Sequence, residues 1–146
     1  MVHPDLNIIF HQLVTFAQRC LAERGGFLPF AASMDTDGKV NMLGADVGPE
    51  EQHNPAPAMI RLLTGGLALQ AKSGRIRAAG ICFDALYRAG GPADDKPSDA
   101  IQCALEHDSG ESLNVFLPYQ KSPVQPNVYG KAVASRRVAE FFTRAN

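Results

Sequence analysis

Residues 75–88, RIRAAGICFDALYR, decide the fold. In an extended chain successive side chains point to opposite faces. Ile76, Ala78, Gly80, Cys82 and Leu86 then point one way, and Ala79, Ile81, Phe83, Ala85 and Tyr87 the other. Both sets are apolar through the middle, the pattern of a strand covered on both sides. The following stretch, residues 99–108 (DAIQCALEHD), alternates instead. Ile101, Cys103 and Leu105 face one side and Gln102, Ala104 and Glu106 the other, as in an antiparallel strand with one wet face. Asp108-Ser109-Gly110 is a tight turn, and residues 113–119 form a third strand, with Pro118 near its end where a missing amide donor is tolerated.

Working upstream, residues 58–72 carry a helical stripe of Met59, Leu62, Leu63 and Leu67, weakened by Gly65-Gly66. Each glycine costs about 1 kcal/mol relative to alanine, and the pair marks either a kink or the close approach of a neighbour. Residues 27–34 and 39–47 read as a hairpin around Asp35-Thr36-Asp37-Gly38. That turn shares Asp-x-Asp-Gly with calcium loops but lacks their remaining acidic ligands and closing glutamate. Residues 5–24 form the first helix, on Leu6, Ile9, Phe10, Leu13, Phe16, Ala17, Cys20 and Leu21, and Gly25-Gly26 ends it. Downstream, residues 122–127 are a proline-punctuated connector. Residues 130–144 read as a last helix on the spacing of Val133, Arg137, Val138, Phe141 and Phe142.

The order helix, two strands, helix, three strands, helix predicts one α+β domain over residues 1–146. Its centre would be a single five-stranded antiparallel sheet packed by helices. This order is similar to that of the roadblock and profilin-like folds, whose hairpin and meander share one sheet in the order 2-1-5-4-3. The likeness is one of topology, with no residue motif beside it, so it implies a fold and not an activity. In that order the strand Ile76–Tyr87 is an edge, and an apolar edge needs cover. A homodimer pairing along it supplies the cover; a central position for the strand would explain the same composition without a partner.

The chain has 146 residues and a mass of 15.7 kDa, with 45% apolar and 20% charged residues, so it can bury one core. Fourteen Lys and Arg balance fifteen Asp and Glu, for a net charge of −1. Nothing in that balance attracts nucleic acid or an anionic membrane. No apolar run approaches the roughly 18 residues of a membrane span, and residues 1–5 lack the charged start of a signal peptide. The cysteines, Cys20, Cys82 and Cys103, are odd in number and show no C-x-x-C spacing. A cytoplasmic protein with small core cysteines is expected.

Candidate chemistry is scattered. His3, His11, His53 and His107 form no H-x-H or H-x-x-x-H pair, so no metal is expected, and no cofactor. His107, beside Glu106 and Asp108 at a strand end, is the best candidate general base. Cys82 and Cys103 are symmetric about their loop and would face each other on neighbouring strands. Nothing in the local sequence lowers the pKa of either thiol. Asp84 interrupts an apolar run, and a buried carboxylate there would need Arg88, Arg61 or a backbone amide as partner. Lys72, Arg75 and Arg77 form a small basic group suited to a phosphate or an acidic partner, as do Arg136, Arg137 and Arg144. Phosphate-binding loops, dinucleotide fingerprints, nucleophile elbows and H-E-x-x-H are all missing from the sequence. The expectation is a non-catalytic binding or scaffold domain for a protein or small ligand, homodimeric. The alternatives are an enzyme of unrecognised type, with Asp84, His107 and Cys82 or Cys103 lining a cleft, and, from the fold likeness, a partner of small GTPases.

Overall fold

The computed structural model describes residues 2–91, 93, 96–122 and 126–143. Helix α1 (Pro4–Arg24) starts with His3 as its cap, the imidazole Nδ1 accepting the N–H of Asp5, and Pro4 in the first turn. It stops at Gly25, whose φ of 76° lets its N–H return to the carbonyl of Leu21. Strands β1 (Phe30–Asp35) and β2 (Val40–Leu43) form the expected hairpin, with Gly38 at φ 94° in the turn. A single 3₁₀ turn (Pro49–Glu51) leads to helix α2 (Ala56–Lys72). α2 runs through Gly65-Gly66, and a Cβ on either glycine would meet nothing within 4 Å. The pair therefore serves neither as a break in the helix nor as a packing notch.

Strands β3 (Ile76–Tyr87), β4 (Ser98–His107) and β5 (Ser112–Gln120) form the antiparallel meander. The remainder departs from expectation. Two short strands, β6 (Val128–Tyr129) and β7 (Val133–Arg136), take the place of the last helix, and both pair with β5. Their registers differ by one residue, so they make a single edge strand interrupted by a bulge. Among the described residues the fold thus has two α-helices and an antiparallel sheet of six to seven strands, not three helices and five strands. Arg144, at the expected helix end, lies outside the described residues.

The strand order also differs. β3 sits between β1 and β4, giving β2-β1-β3-β4-β5-β6 rather than 2-1-5-4-3. β1 can reach β3 because both hairpin and meander are antiparallel, and α2 carries the chain over one face between them. The apolar character of β3 on both faces is that of a central strand. One face packs on α1 through Leu6, Ile9, Leu13, Ala17 and Leu21 against Ala32, Met34, Ala78, Cys82, Cys103 and Leu105. The other holds Ala31, Ala79 and Ile81 under Leu63 and Leu67 of α2 and Phe141. A register shift between Met34 and Asp35 puts Ile76 in this second cluster, whereas simple alternation placed it with Ala78. No helix among the described residues is long and apolar enough to cross a membrane.

Candidate functional site

Three polar groupings result. The first gathers at the start of α1. Asp5 is 13% exposed and takes two hydrogen bonds from Arg77, Nε at 3.0 Å and Nη2 at 3.2 Å, and one from His107 Nε2 at 2.9 Å. His107 Nδ1 accepts the N–H of Ser109, which leaves the ring proton on Nε2, where it points at Asp5. The rings of His3 and His107 stack with centroids 3.7 Å apart, and the N–H of His3 donates to Glu111. Burial opposes the charge of Asp5, but the hydrogen bonds from His107 and Arg77 and the guanidinium charge outweigh it and hold its carboxyl below the ordinary value.

His3, Asp5 and His107 each bring one ligating atom within 4.8 Å of the others, a convergence invisible in the sequence. The arrangement nevertheless suits a clamp better than a metal. Arg77 holds both oxygens of Asp5, His107 Nε2 has a proton rather than a lone pair to offer, and His3 Nδ1 caps α1. The same set ties α1 to β3, β4 and the hairpin turn, since Arg77 Nη1 also donates to the carbonyl of Thr36.

The second grouping lies further along β3. Cys82 and Cys103 are direct cross-strand partners, as their symmetry about the loop implied. Both are buried free thiols, and burial first, then the contact with Cys103, pushes the Cys82 thiol well up, away from the thiolate form a nucleophile needs. Asp84 is exposed, not buried, and its partner is the hydroxyl of Tyr119, which donates to it at 2.8 Å, rather than Arg88, Arg61 or an amide. Burial and then Asp84 hold Tyr119 protonated far above its ordinary range. Asp84 faces Ile101 and His107 faces Ala78 in the ladder. Six positions separate them, about 20 Å at ~3.3 Å per residue, so the two do not share a cleft. Nor do the basic residues gather: Lys72 and Arg75 are exposed, while Arg77 turns to Asp5.

The third grouping was missed by sequence reasoning. Glu106 has 0% exposure and accepts five hydrogen bonds, all from residues 137–142. Arg137 gives two, from Nε at 3.0 Å and Nη2 at 2.8 Å; the N–H groups of Glu140, Phe141 and Phe142 give three, at 2.8, 2.8 and 3.1 Å. The face of β4 expected to be wet is covered, with Ala104 3% exposed. The available signal was the apolar run Cys103-Ala104-Leu105 leading directly into the carboxylate of Glu106.

No protein-family model, curated protein or solved structure matches this chain.

These environments predict an alkaline limb of stability. Cys82, Tyr119 and Tyr129 are all held neutral by burial in the fold, with their pKa values raised. A free thiol ionises near pH ~8.5 and a free tyrosine near ~10. Above those values the unfolded chain sheds protons that the folded chain keeps, so stability falls as pH rises. Urea midpoints should decline from about pH 9 upward, and Tyr119→Phe should flatten the decline above pH ~10. A midpoint level to pH ~11 in the parent protein would contradict these assignments.

Proposed function

We propose that this chain is a non-catalytic binding or scaffold domain that pairs with a second copy through the outer end of β3. One observation carries the reading: β3 outruns its neighbour. Pairing with β1 ends at Phe30 opposite Cys82, whereas pairing with β4 continues to Tyr87 opposite Ser98. Residues 83–87 thus have strand partners on one side only among the described residues. An open strand edge is a template for another strand, and antiparallel pairing of two such edges is self-complementary about a twofold axis. Leu86 is 61% exposed there, and Phe83 and Tyr87 are half-buried. The edge is shorter than the whole-strand contact expected from sequence, because β1 already occupies residues 76–82. The candidate acid, base and thiols are engaged in the clamp, the tyrosine pair and the core, which supports a role without catalysis. A reducing, cytoplasmic setting suits the three free cysteines.

Leu86→Lys tests the pairing with little risk to the core. Sedimentation velocity of the parent protein should give twice the chain mass, and the variant a single chain mass with unchanged thermal midpoint. A parent that stays monomeric up to about 100 μM, a concentration at which interfaces of even modest affinity are occupied, would remove the dimer.

A further inference from the structure

The environment of Glu106 has the form of a binding site with its ligand in place. Among the described residues every hydrogen bond on this carboxylate comes from residues 137–142. Those residues form neither helix nor strand. Two side chains give them identity. Phe141, 2% exposed, inserts among Leu63, Leu67, Ile76, Ala79 and Ile81. Arg137 bonds Glu106 and lies over the Phe141 ring, 5.1 Å from its centroid. Val138 between them is 87% exposed. Recognition is therefore by a guanidinium, an aromatic ring four residues later, and three consecutive N–H groups that any sequence offers.

We propose that residues 137–142 are a peptide ligand held in cis, and that the groove around Glu106 is a receptor for segments of the form Arg-x-x-x-Phe. Charge and shape both specify the occupant: a buried carboxylate needs a cation with several donors, and the apolar wall between α2 and the sheet needs a ring. The segment is built to leave. It follows β7, which is exposed along its length and pairs with β5 alone, so lifting it off leaves β1–β5 intact. Its further tie in the backbone is a 3.4 Å bond from the N–H of Arg137 to the carbonyl of Ser112. Beside it lies a cleft of about 490 Å³, lined by Gly65, Ala68, Leu69 and Lys72 of α2 together with Phe141 and Phe142. A tethered segment competes at an effective concentration of order 1 mM, so a partner must carry the same pair of anchors to displace it.

The test uses the full-length chain and a labelled peptide of residues 133–143, VASRRVAEFFT. Arg137→Ala/Phe141→Ala removes both side-chain anchors of the tethered segment and leaves Glu106 and the residues of α2 and the sheet unchanged. This variant should bind the peptide at least about tenfold more tightly than the parent protein does, and its thermal midpoint should rise on binding. Peptides with alanine at the second arginine or the first phenylalanine should lose about tenfold or more. A folded variant that ignores the peptide to ~1 mM overturns the proposal. Should the variant not fold, hydrogen exchange in the parent protein decides. Amides 140–142 should exchange at least about tenfold faster than amides 79–82, by local opening. Exchange of both sets together, by global unfolding, overturns it. The cluster around Phe141 meets the proposed dimer edge at Phe83, but Leu86, the residue changed in the oligomer test, is 61% exposed and belongs to neither core cluster, so the oligomer measurement and the peptide measurement fail independently.

Discussion

Glu106→Ala should destabilise the protein by about 3–5 kcal/mol, the usual loss when one partner is removed from a buried charged network. The carboxylate is wholly buried; its removal leaves the guanidinium of Arg137 with the exposed Glu140 alone and strands the N–H groups of residues 140–142. Set against a total stability of about 5–15 kcal/mol, that loss should be plain in urea titrations. Glu106→Gln keeps the volume and one acceptor oxygen but no charge, and should fall between the two. The loss also has a ceiling. Once the stranded groups cost more than lifting the segment into water, residues 137–142 detach and Phe141 becomes exposed, so the deepest variants should bind a hydrophobic dye while retaining their sheet. A loss below about 1 kcal/mol, the level of an exposed ion pair, would show that Glu106 does not anchor the C-terminal segment.

Gly80→Ala is the second large effect, with an expected loss of about 1–3 kcal/mol from overpacking. A Cβ at this position would lie 2.7 Å from Leu105 Cδ2, 2.9 Å from Leu13 Cδ1 and 3.1 Å from Ile9 Cγ2. Side-chain ends often yield to such crowding, but these three are at most 1% exposed and have no free volume to enter. Gly80 is what lets α1 lie close on the sheet at its middle. The matched control is Gly65→Ala on α2, where a Cβ would meet nothing within 4 Å. Helix propensity alone should make that variant more stable by roughly 0.5–1 kcal/mol. The two substitutions add the same methyl group, and opposite signs in thermal denaturation would show that packing, not glycine as such, decides. A Gly80→Ala protein as stable as its parent would mean α1 sits further from β3 than described.

Local chemistry was enough to read most of the elements. The α1 stripe with Gly25, the β1–β2 turn with Gly38, and the opposition of Cys82 and Cys103 all follow from neighbours in sequence. Strand order did not follow, because an apolar strand looks the same at a partnered edge and in the centre of a sheet. Residues 130–144 misled for a different reason. Val133, Arg137, Val138, Phe141 and Phe142 have helical spacing, but a helix there would turn the amides of residues 140–142 toward their own chain. A buried acceptor 34 to 36 residues away claims them instead. Arg137 therefore reads as surface charge in one dimension and as the partner of Glu106 in three. The clamp of His3, Asp5, Arg77 and His107 is equally illegible, its members lying 72 and 102 residues apart in two of its bonds. Asp84 was legible as needing a partner, but its exposure and the reach of Tyr119 were not.

The separation of Glu106 from its donors also sets an order of events at the ribosome. With synthesis at about 5–20 residues per second, the 35 residues between Glu106 and Phe141 take roughly 2–7 s to appear. Throughout that interval α2 is the only cover made for this face of the nascent sheet, and the Glu106 carboxylate lacks its donors and the neighbouring Phe141 ring. That charge must stay hydrated until Arg137 arrives, and a hydrated carboxylate keeps water on a surface that would otherwise adhere to neighbouring chains.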